Sequence, residues 1–278
     1  MKSLKDKRVL ITGAGSGLGR ACALEFAARG ARVAASDNRL EAAEQTARTV
    51  AQRGPAGIAL TLDVTSEDDF AAAVAAMQRA WGGVDVLVNN AGVATAGTVA
   101  DSPIKQWQWV LDINLLGCVR GARAAIPAMQ AQKSGHIVNI ASFAGIANPP
   151  AVASYNAAKA AVISLSETLR FELYPDIGVS VACPSFFKTD LLETSRSGQL
   201  SEAEQASSPQ VVRIMDRLMA KASVTAEDVA RDVVDSVQSG RFLVMSHPDA
   251  RSRTRLKRLS PELYFRFAQK ATAAFLRK

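Results

Sequence analysis

The chain has 278 residues, of which 48% are hydrophobic, and its formal net charge is +7. This length and apolar content allow one large α/β domain with a sizeable core, and they exclude wholesale disorder. The sequence contains two histidines, His136 and His247, which lie far apart. A histidine-based metal site and a Ser-His-Asp catalytic triad are therefore both disfavoured.

The three cysteines, Cys22, Cys118 and Cys183, are widely spaced in apolar surroundings. Their spacing is not that of a metal site, so we expect reduced side chains packed in the core. The first residues lead into an apolar strand rather than a signal peptide. No apolar run approaches the roughly 20 residues needed to span a bilayer. Both features favour a cytoplasmic protein.

Short apolar runs alternate along the chain with longer helical stretches. Strands are predicted at 9–11, 32–35, 57–62, 84–88, 136–140, 179–182 and 242–245. Helices are predicted at 17–29, 40–53, 67–80, 103–132, 152–173 and 225–238. This strict alternation predicts a single α/β domain built on a doubly wound, seven-stranded parallel sheet, with helices on both faces.

No linker or internal repeat divides the chain, so we place this domain at residues 1–246. The stretch 185–223 interrupts the alternation and predicts a flap. Because it follows the sixth strand, the flap should lie over the carboxyl ends of the strands, where ligands bind in such sheets. Residues 247–278 are predicted to form a basic, amphipathic extension that belongs to the same unit.

A glycine-rich turn separates the first strand from the first helix, and it reads Thr12-Gly13-Ala14-Gly15-Ser16-Gly17-Leu18-Gly19. Glycines at this place allow a tight turn and bring backbone N–H groups close to a pyrophosphate at the helix N-terminus. A glycine-rich stretch can be only a turn. The strand before it and the helix after it favour dinucleotide binding.

Asp37 ends the second strand about twenty residues later. A carboxylate there can accept both hydroxyls of the adenine ribose, and it would repel a 2′-phosphate ~4 Å away by about 4 kcal/mol at an effective dielectric of ~20. Asp37 therefore favours NAD over NADP, although the nearby Arg39 could bind that phosphate. The alternative is that Asp37 caps the next helix. Asp63, after the third strand, could bond the adenine amine or serve as a cap or turn residue.

Tyr155 and Lys159 are four residues apart in a predicted helix, so they share one face. A free tyrosine has a pKa of ~10, and making its phenolate common near neutrality requires about 4 kcal/mol. An ammonium ~5 Å away supplies roughly 3 kcal/mol at an effective dielectric of ~20. A cationic cofactor could supply the rest, so the pair predicts an acid/base that acts with cofactor bound. The alternative is a packed aromatic side chain with its hydroxyl satisfied.

These motifs, in this order and spacing, resemble the short-chain dehydrogenase/reductase family over nearly the whole chain. The motifs that match are the glycine-rich turn, Asp63-Val64, Asn89-Asn90-Ala91-Gly92, Asn114, Ser142, and Tyr155 with Lys159. The resemblance implies a Rossmann fold and an NAD(P)-dependent oxidoreductase that acts on CH–OH groups. It also implies a homodimer or homotetramer.

The resemblance assigns a role to each catalytic residue. Tyr155 would be the general acid/base, and Lys159 would bind the nicotinamide ribose and lower the pKa of Tyr155. Ser142 would hydrogen-bond the substrate oxygen, and Asn114 would hold a water that links Lys159 to solvent. Besides Tyr155 and Lys159, the predicted cofactor-binding residues are Gly13, Ser16, Gly17, Leu18, Gly19, Asp37, Asp63, Val64, Asn90, Ala91, Gly92, Pro184, Phe187 and Thr189.

The positions that flank the catalytic residues are mostly apolar. They predict a lipophilic secondary alcohol or ketone as substrate, such as a steroid, a retinoid or a fatty-chain compound. The predicted substrate contacts are Ala94, Phe143, Ala144, Val152, Phe186, Leu191 and Leu192. Two alternatives stay open. One is an NADPH-dependent 3-ketoacyl thioester reductase, which Asp37 disfavours, and the other is a non-catalytic NAD-sensing binding protein, which has no need of Tyr155.

The positive charge is concentrated at the end of the sequence. Residues 241–278 contain ten Lys or Arg and two acids, whereas the rest of the chain carries −1. An apolar residue recurs there every four positions, which predicts an amphipathic helix. The recurring residues are Leu259, Leu263, Phe267, Ala271 and Phe275. Such a helix could pack on its own domain or at a dimer interface, or lie on an anionic membrane. Nucleic acid is not expected as a partner, because no recognised module accompanies the charge.

Overall fold

A computed structural model of the chain describes residues 1–187, 213, 217, 219 and 221–276, with the backbone alone at 274–276. Seven strands begin and end within two residues of the predicted positions. They are β1 Arg8–Thr12, β2 Arg32–Asp37, β3 Ile58–Thr61, β4 Val86–Asn89, β5 Gly135–Ile140, β6 Ile177–Ala182 and β7 Leu243–Val244. All of them are parallel, in the order β3-β2-β1-β4-β5-β6-β7, so the predicted seven-stranded sheet is confirmed.

Helices follow the strands and cover both faces of this sheet, which confirms the predicted doubly wound Rossmann fold. The described helices are α1 Gly17–Ala28, α2 Leu40–Val50, α3 Glu67–Trp81, α4 Ile104–Leu111, α5 Gly117–Ala131, α6 Ala144–Ala147, α7 Ala153–Glu172, α8 Ala226–Ser239, α9 Pro248–Leu259 and α10 Pro261–Leu276. Successive strand residues point to opposite faces. Val9 and Ile11 of β1 therefore join the core formed with α1 and α8, while Leu10 joins the core formed with α3 and α5. Because helices cover both faces, the central strands β4 and β5 are buried at every residue.

The order of the strands reverses between β1 and β4. From β1 the chain builds outward to β2 and β3, and it then returns to β4 on the other side of β1. The loops after β1 and β4 consequently turn to opposite faces and leave a crevice at the carboxyl ends of the strands. This is the edge of the sheet to which the sequence assigns the cofactor.

The predicted helix at 103–132 is interrupted by a π-helical turn, Asp112–Leu116. Asn114 lies in this turn and is fully buried. Such π-turns inside α-helices are frequent at functional sites. Hydrophobic periodicity does not reveal this one, because the chain is helical on both sides of it.

The basic extension forms two helices rather than one, since α9 ends at Leu259 and Pro261 begins α10. The Tyr264 hydroxyl is partly buried and donates to the carbonyl of Ala147 at 3.1 Å, so α10 packs on its own domain. Leu259, Leu263 and Phe267 of the predicted stripe are instead exposed. Leu259 and Phe267 therefore contribute little to packing on this domain, and Leu263 is only partly covered. The side chain of Phe275 lies outside the described residues.

All three cysteines are free and buried, as predicted. No helix within the described residues is long and apolar enough to cross a bilayer.

An ion pair fastens β1 to the residue before β4 at the amino end of the sheet. The Asp85 carboxylate accepts hydrogen bonds from the backbone N–H of Arg8 at 2.9 Å and from its Nε and Nη2 at 2.7 and 2.8 Å. Burial alone would raise the pKa of Asp85, but the bonds from Arg8 outweigh it and hold this pKa below its usual value. The charged form is therefore the one that stabilises the fold.

We predict that Asp85→Asn lowers the free energy of unfolding at pH 7 by about 2 kcal/mol, because it removes a charge-assisted pair from a largely buried position. The depressed pKa means that this contribution is present above the unfolded value of ~3.9 and is lost as the pH falls through the folded value. Urea unfolding of both proteins at pH 7 and near pH 3 measures this. The two stabilities should differ less at the lower pH, and a constant difference would contradict the pairing.

Candidate active site

A cavity of about 740 Å³ opens at the carboxyl ends of β1 to β6. Most of the residues predicted to contact cofactor or substrate line it. These are Gly13, Ser16, Gly17, Leu18, Asp37, Asp63, Val64, Asn90, Ala91, Gly92, Ala94, Ser142, Phe143, Ala144, Val152, Tyr155, Lys159, Pro184, Phe186 and Phe187. Gly19 and Asn114 lie behind this surface. Thr189, Leu191 and Leu192 lie outside the described residues, as does most of the predicted flap at 185–223.

The glycine-rich turn forms the floor of the cavity and lies close against the end of β4. Gly13 has a φ of +62°, and a Cβ there would be 2.9 Å from the Cα of Ala91. A Cβ at Gly19 would overlap the carbonyl of Gly13. Asn90 fixes this approach, since its Nδ2 donates to the carbonyls of Thr12 and Gly13 at 2.9 and 3.1 Å. The glycines therefore allow the turn to pack closely on the end of β4, and a polar group can bind against its backbone in the cavity.

At one end of the cavity the Asp37 carboxylate is nearly buried. It accepts from the backbone N–H of Gly15 at 3.0 Å and from that of Arg39 at 3.1 Å. Helix α2 begins after Arg39 and has no side-chain cap, so Asp37 does not cap it. The Arg39 Nε lies 3.7 Å from this carboxylate, and its side chain is 61% exposed. Backbone hydrogen bonds therefore hold the Asp37 carboxylate in place, whereas the Arg39 guanidinium lies at the surface.

Asp63 lines the same end of the cavity but has a structural function as well. Its Oδ1 accepts from both the backbone N–H and the hydroxyl of Thr65, each at 2.8 Å. This is the turn arrangement that the sequence left open as an alternative. Its contact with adenine stays a prediction.

Tyr155 and Lys159 project from α7 toward the end of β5, where Ser142 lies. The Lys159 Nζ is 5.7 Å from the centre of the Tyr155 ring and donates to the carbonyl of Ile140 at 2.8 Å. Burial raises the pKa of Tyr155, and a hydrogen bond with Ser142 opposes this rise. Burial likewise lowers the pKa of Lys159. The sequence indicated two influences on the pKa of Tyr155, the charge of Lys159 and that of a bound cofactor. Burial, which it did not indicate, is the larger effect on both groups here.

Asn114 uses both ends of its side chain to hold the segment that follows β4. Its Oδ1 accepts from the N–H of Val93 and its Nδ2 donates to the carbonyl of Val93, both at 2.8 Å. A Cβ added at Gly92 would lie 3.0 Å from that Oδ1 and 3.5 Å from the Lys159 Nζ. Asn114 thus positions the segment Gly92–Val93, which forms the side of the cavity next to Lys159. The Asn114 Oδ1 keeps a second lone pair and its Nδ2 a second proton, and the water that the resemblance implies stays a prediction.

The extension contributes to the cavity in a way that the sequence did not predict. Asp249 and Arg253 of α9 line it, together with Ala271 and Thr272 of α10. Arg253 and Asp249 form an exposed pair at 3.8 Å. The repeat of apolar residues in the extension predicted a helix, but it did not predict which side of that helix would line the cavity.

His247 is a second residue that the sequence argument missed. It is 7% exposed, and its Nδ1 accepts from the N–H of Ser185 at 3.2 Å, while its Nε2 donates to the carbonyl of Phe186 at 2.9 Å. Only the tautomer with its proton on Nε2 makes both bonds. Because the two histidines lie far apart in the sequence, neither a metal site nor a catalytic triad is expected at His247. Its position just after the last strand was the signal, because all strands of a parallel sheet end at one edge.

Comparisons with known proteins agree with this site. Residues 7–200 match the family model for short chain dehydrogenases. The chain is 32% identical to the CLA biosynthesis dehydrogenase/reductase of Lactiplantibacillus plantarum over 90% of this chain and 91% of that protein. It is 38% identical to the 2-(R)-hydroxypropyl-CoM dehydrogenase of Xanthobacter autotrophicus over 66% of this chain and 76% of that protein.

The fold is similar to the crystal structure of a short chain dehydrogenase/reductase from Burkholderia phymatum in complex with NAD. The TM-score is 0.86 and the identity 33%, over 95% of this chain and 96% of that one. Together with the cavity and its residues, these matches show that the chain belongs to the short-chain dehydrogenase family and is an oxidoreductase acting on CH–OH groups.

Proposed function

We propose that this enzyme interconverts a lipophilic secondary alcohol and the corresponding ketone, with NAD as its cofactor. The observation that carries the proposal is a continuous cavity with the Asp37 carboxylate at one end, Tyr155, Ser142 and Lys159 farther along it, and apolar walls beyond them. A dinucleotide and an apolar substrate would meet beside the Tyr155 hydroxyl. A cytoplasmic homodimer or homotetramer is the setting that we infer for it.

The residues present fit a bound dinucleotide. The glycines let the turn pack against the end of β4, since a Cβ at Gly13 or Gly19 would meet backbone atoms. The N-terminus of α1 that follows the turn lines the cavity, and a pyrophosphate can bind there. Each Asp37 oxygen accepts one backbone N–H and has a further lone pair for a ribose hydroxyl. An ammonium has three protons, so Lys159 can hold the carbonyl of Ile140 and still donate to the nicotinamide ribose. When bound, the nicotinamide exchanges a hydride with the substrate carbon, and its oxidised form is cationic.

The chain's own residues handle the proton. In the oxidation direction, Tyr155 accepts the proton of the substrate hydroxyl, and in reduction it returns that proton to the carbonyl oxygen. Ser142 donates to the same oxygen and so orients the reacting carbon. Burial keeps the Tyr155 hydroxyl protonated in the empty cavity. A cationic cofactor and a charged Lys159 would counter that burial, which ties proton transfer to cofactor binding.

The apolar walls support a lipophilic substrate. Phe143, Ala144, Val152 and Phe186 line the cavity beyond the catalytic residues, and Met219 does so as well. One relative is named for a 2-hydroxypropyl substrate, which is a secondary alcohol. The relative from Burkholderia phymatum was crystallised with NAD, which supports the same cofactor here.

The second candidate is an NADPH-dependent 3-ketoacyl thioester reductase. The exposed Arg39 favours it, because its side chain is free to turn toward a 2′-phosphate. The buried carboxylate of Asp37 argues against it, because that charge lies where the phosphate would lie.

His247 supports the proposed site as a positioning residue. The segment that it holds, Pro184–Phe187, lines the cavity over the predicted nicotinamide position. A single imidazole bonds two peptide groups of that segment, one on each side of the Ser185–Phe186 peptide, so its loss would loosen the wall without removing a reacting group.

We predict that Tyr155→Phe lowers kcat by roughly 10²–10⁴-fold, the usual contribution of a general acid/base, while cofactor affinity is retained. Absorbance of the reduced nicotinamide, with the best substrate from a panel of secondary alcohols that includes steroids, measures the rate. Tyr264→Phe is the matched control, because it removes a tyrosine hydroxyl that bonds only a backbone carbonyl of α6. Activity of Tyr155→Phe within tenfold of wild type would remove the proposed base.

We predict that Asp37→Ala raises the ratio of kcat/KM for NADP to kcat/KM for NAD at least about tenfold, because it removes the repulsion of the 2′-phosphate. Steady-state kinetics with both cofactors measures the ratio. Asp63→Ala is the control, since both cofactors carry the same adenine and the ratio should not change. A wild-type enzyme that already prefers NADP would show that Asp37 has been misinterpreted.

We predict that His247→Ala weakens cofactor binding about tenfold, because it removes two hydrogen bonds from the cavity wall. Asn at this position can replace the Nδ1 acceptor and Gln the Nε2 donor, so each should restore part of the affinity. Calorimetric titration with NADH measures binding, and thermal unfolding checks that the fold is kept. Equal affinities in all four proteins would show that His247 does not position the wall.

A further inference from the structure

Helix α10 and the end of α9 expose a surface that the proposed chemistry does not use. We call it the tail face, and it consists of Leu259, Leu263, Arg266, Phe267 and Lys270. At 3.6 residues per turn, the four residues of α10 in this set fall within about 100° of the helix circumference. Tyr264, which anchors α10 to the domain, lies to one side of that arc. The tail face therefore points away from this chain's own core.

The apolar members of the tail face are unusually accessible. Leu259 is 86% exposed, Phe267 60% and Leu263 41%. Large apolar side chains clustered in this way commonly mark a contact surface. Leu263 and Phe267 lie one turn apart on the same face of α10, and Leu259 is the last residue of α9, two residues before α10 begins.

The charge around these residues selects the kind of partner. The same two helices carry exposed cations near these apolar residues. They are Arg251, Arg255, Arg258, Arg266 and Lys270. Glu262 is the single acid between positions 251 and 270 of the sequence. A second copy of the chain would bring the same cations against each other, since a twofold contact pairs one patch with itself. The surface complements a partner that is apolar and negatively charged.

We propose that the tail face docks on the surface of an anionic phospholipid bilayer. Leu259, Leu263 and Phe267 would enter the boundary between headgroups and acyl chains, as in interfacial amphipathic helices. Arg258, Arg266 and Lys270 would pair with lipid phosphates, where each basic residue near the membrane adds to the attraction. The inference goes beyond the proposed reaction and needs neither cofactor nor substrate.

The test is sedimentation of the full-length protein with vesicles of phosphatidylcholine, with and without phosphatidylglycerol. We expect binding to the phosphatidylglycerol vesicles only, and release at high salt. Leu263→Ser with Phe267→Ser, and separately Arg266→Gln with Lys270→Gln, should each weaken binding on the order of tenfold or more.

Two matched controls leave the tail face intact. Val99 and Ile104 are each 71% exposed elsewhere on the surface, so replacing both by Ser removes comparable apolar side chains. Arg53 and Arg79 are exposed cations on other elements, so replacing both by Gln removes the same charge. Both double variants should bind like wild type. Turnover of a water-soluble secondary alcohol is followed in parallel, so a failure of the proposed reaction is distinguished from a failure to bind lipid.

Several results would overturn the proposal. The protein could stay in the supernatant with both vesicles, or bind phosphatidylcholine alone equally well. Sedimentation velocity without lipid could show a dimer that Leu263→Ser with Phe267→Ser abolishes, which would assign the face to a second copy. Retention on immobilised polyglutamate without vesicle binding would assign it to an acidic protein.

Discussion

The site depends on the close approach of the glycine-rich turn to the end of β4. Asn90 and the Thr12 hydroxyl join these two segments: the amide of Asn90 donates to the turn, and Thr12 Oγ1 accepts from the backbone N–H groups of Asn90 and Ala91 at 3.0 and 3.1 Å. Gly13 admits this distance because it has no Cβ. The same approach brings Gly92 beside Asn114 and Lys159. A small set of hydrogen bonds thus connects the glycine-rich turn to the segment after β4 that lies beside Lys159.

Burial then determines the electrostatic state of Tyr155 and Lys159, the proposed acid/base and its partner. A buried phenol and a buried amine both favour their neutral forms, so the cavity by itself resists the charges that proton transfer needs. The geometry is already in place, since Lys159 is held by Ile140 and Ser142 faces Tyr155. What a cofactor would add is mainly charge. In such an enzyme the tyrosine would become an effective acid/base only after the cofactor is bound.

The sequence predicted the strands well because apolar residues recur in each of them, and β1 to β4 end within two residues of a glycine, Asp or Asn at the ligand edge. It also predicted most residues of the cavity, since motifs such as Asn89-Asn90-Ala91-Gly92 have fixed positions on this fold. It did not predict the π-turn around Asn114, because hydrophobic periodicity hardly changes over five residues. His247 was missed although its position just after β7 was a signal. Arg253 was missed for a different reason: its place in the cavity depends on how the extension folds back, and no local pattern encodes that. The burial that raises the pKa of Tyr155 is likewise a property of the assembled core.

The far wall of the cavity comes from the last two helices, through Asp249 and Arg253 on α9 and Ala271 and Thr272 on α10. These helices follow the last strand of the sheet, so no strand depends on them for its hydrogen-bonded neighbours. Related enzymes could therefore exchange this terminal segment, and with it the shape of the substrate chamber, while the machinery for proton transfer stays unchanged. Selectivity and reactivity would then evolve on separate parts of one polypeptide.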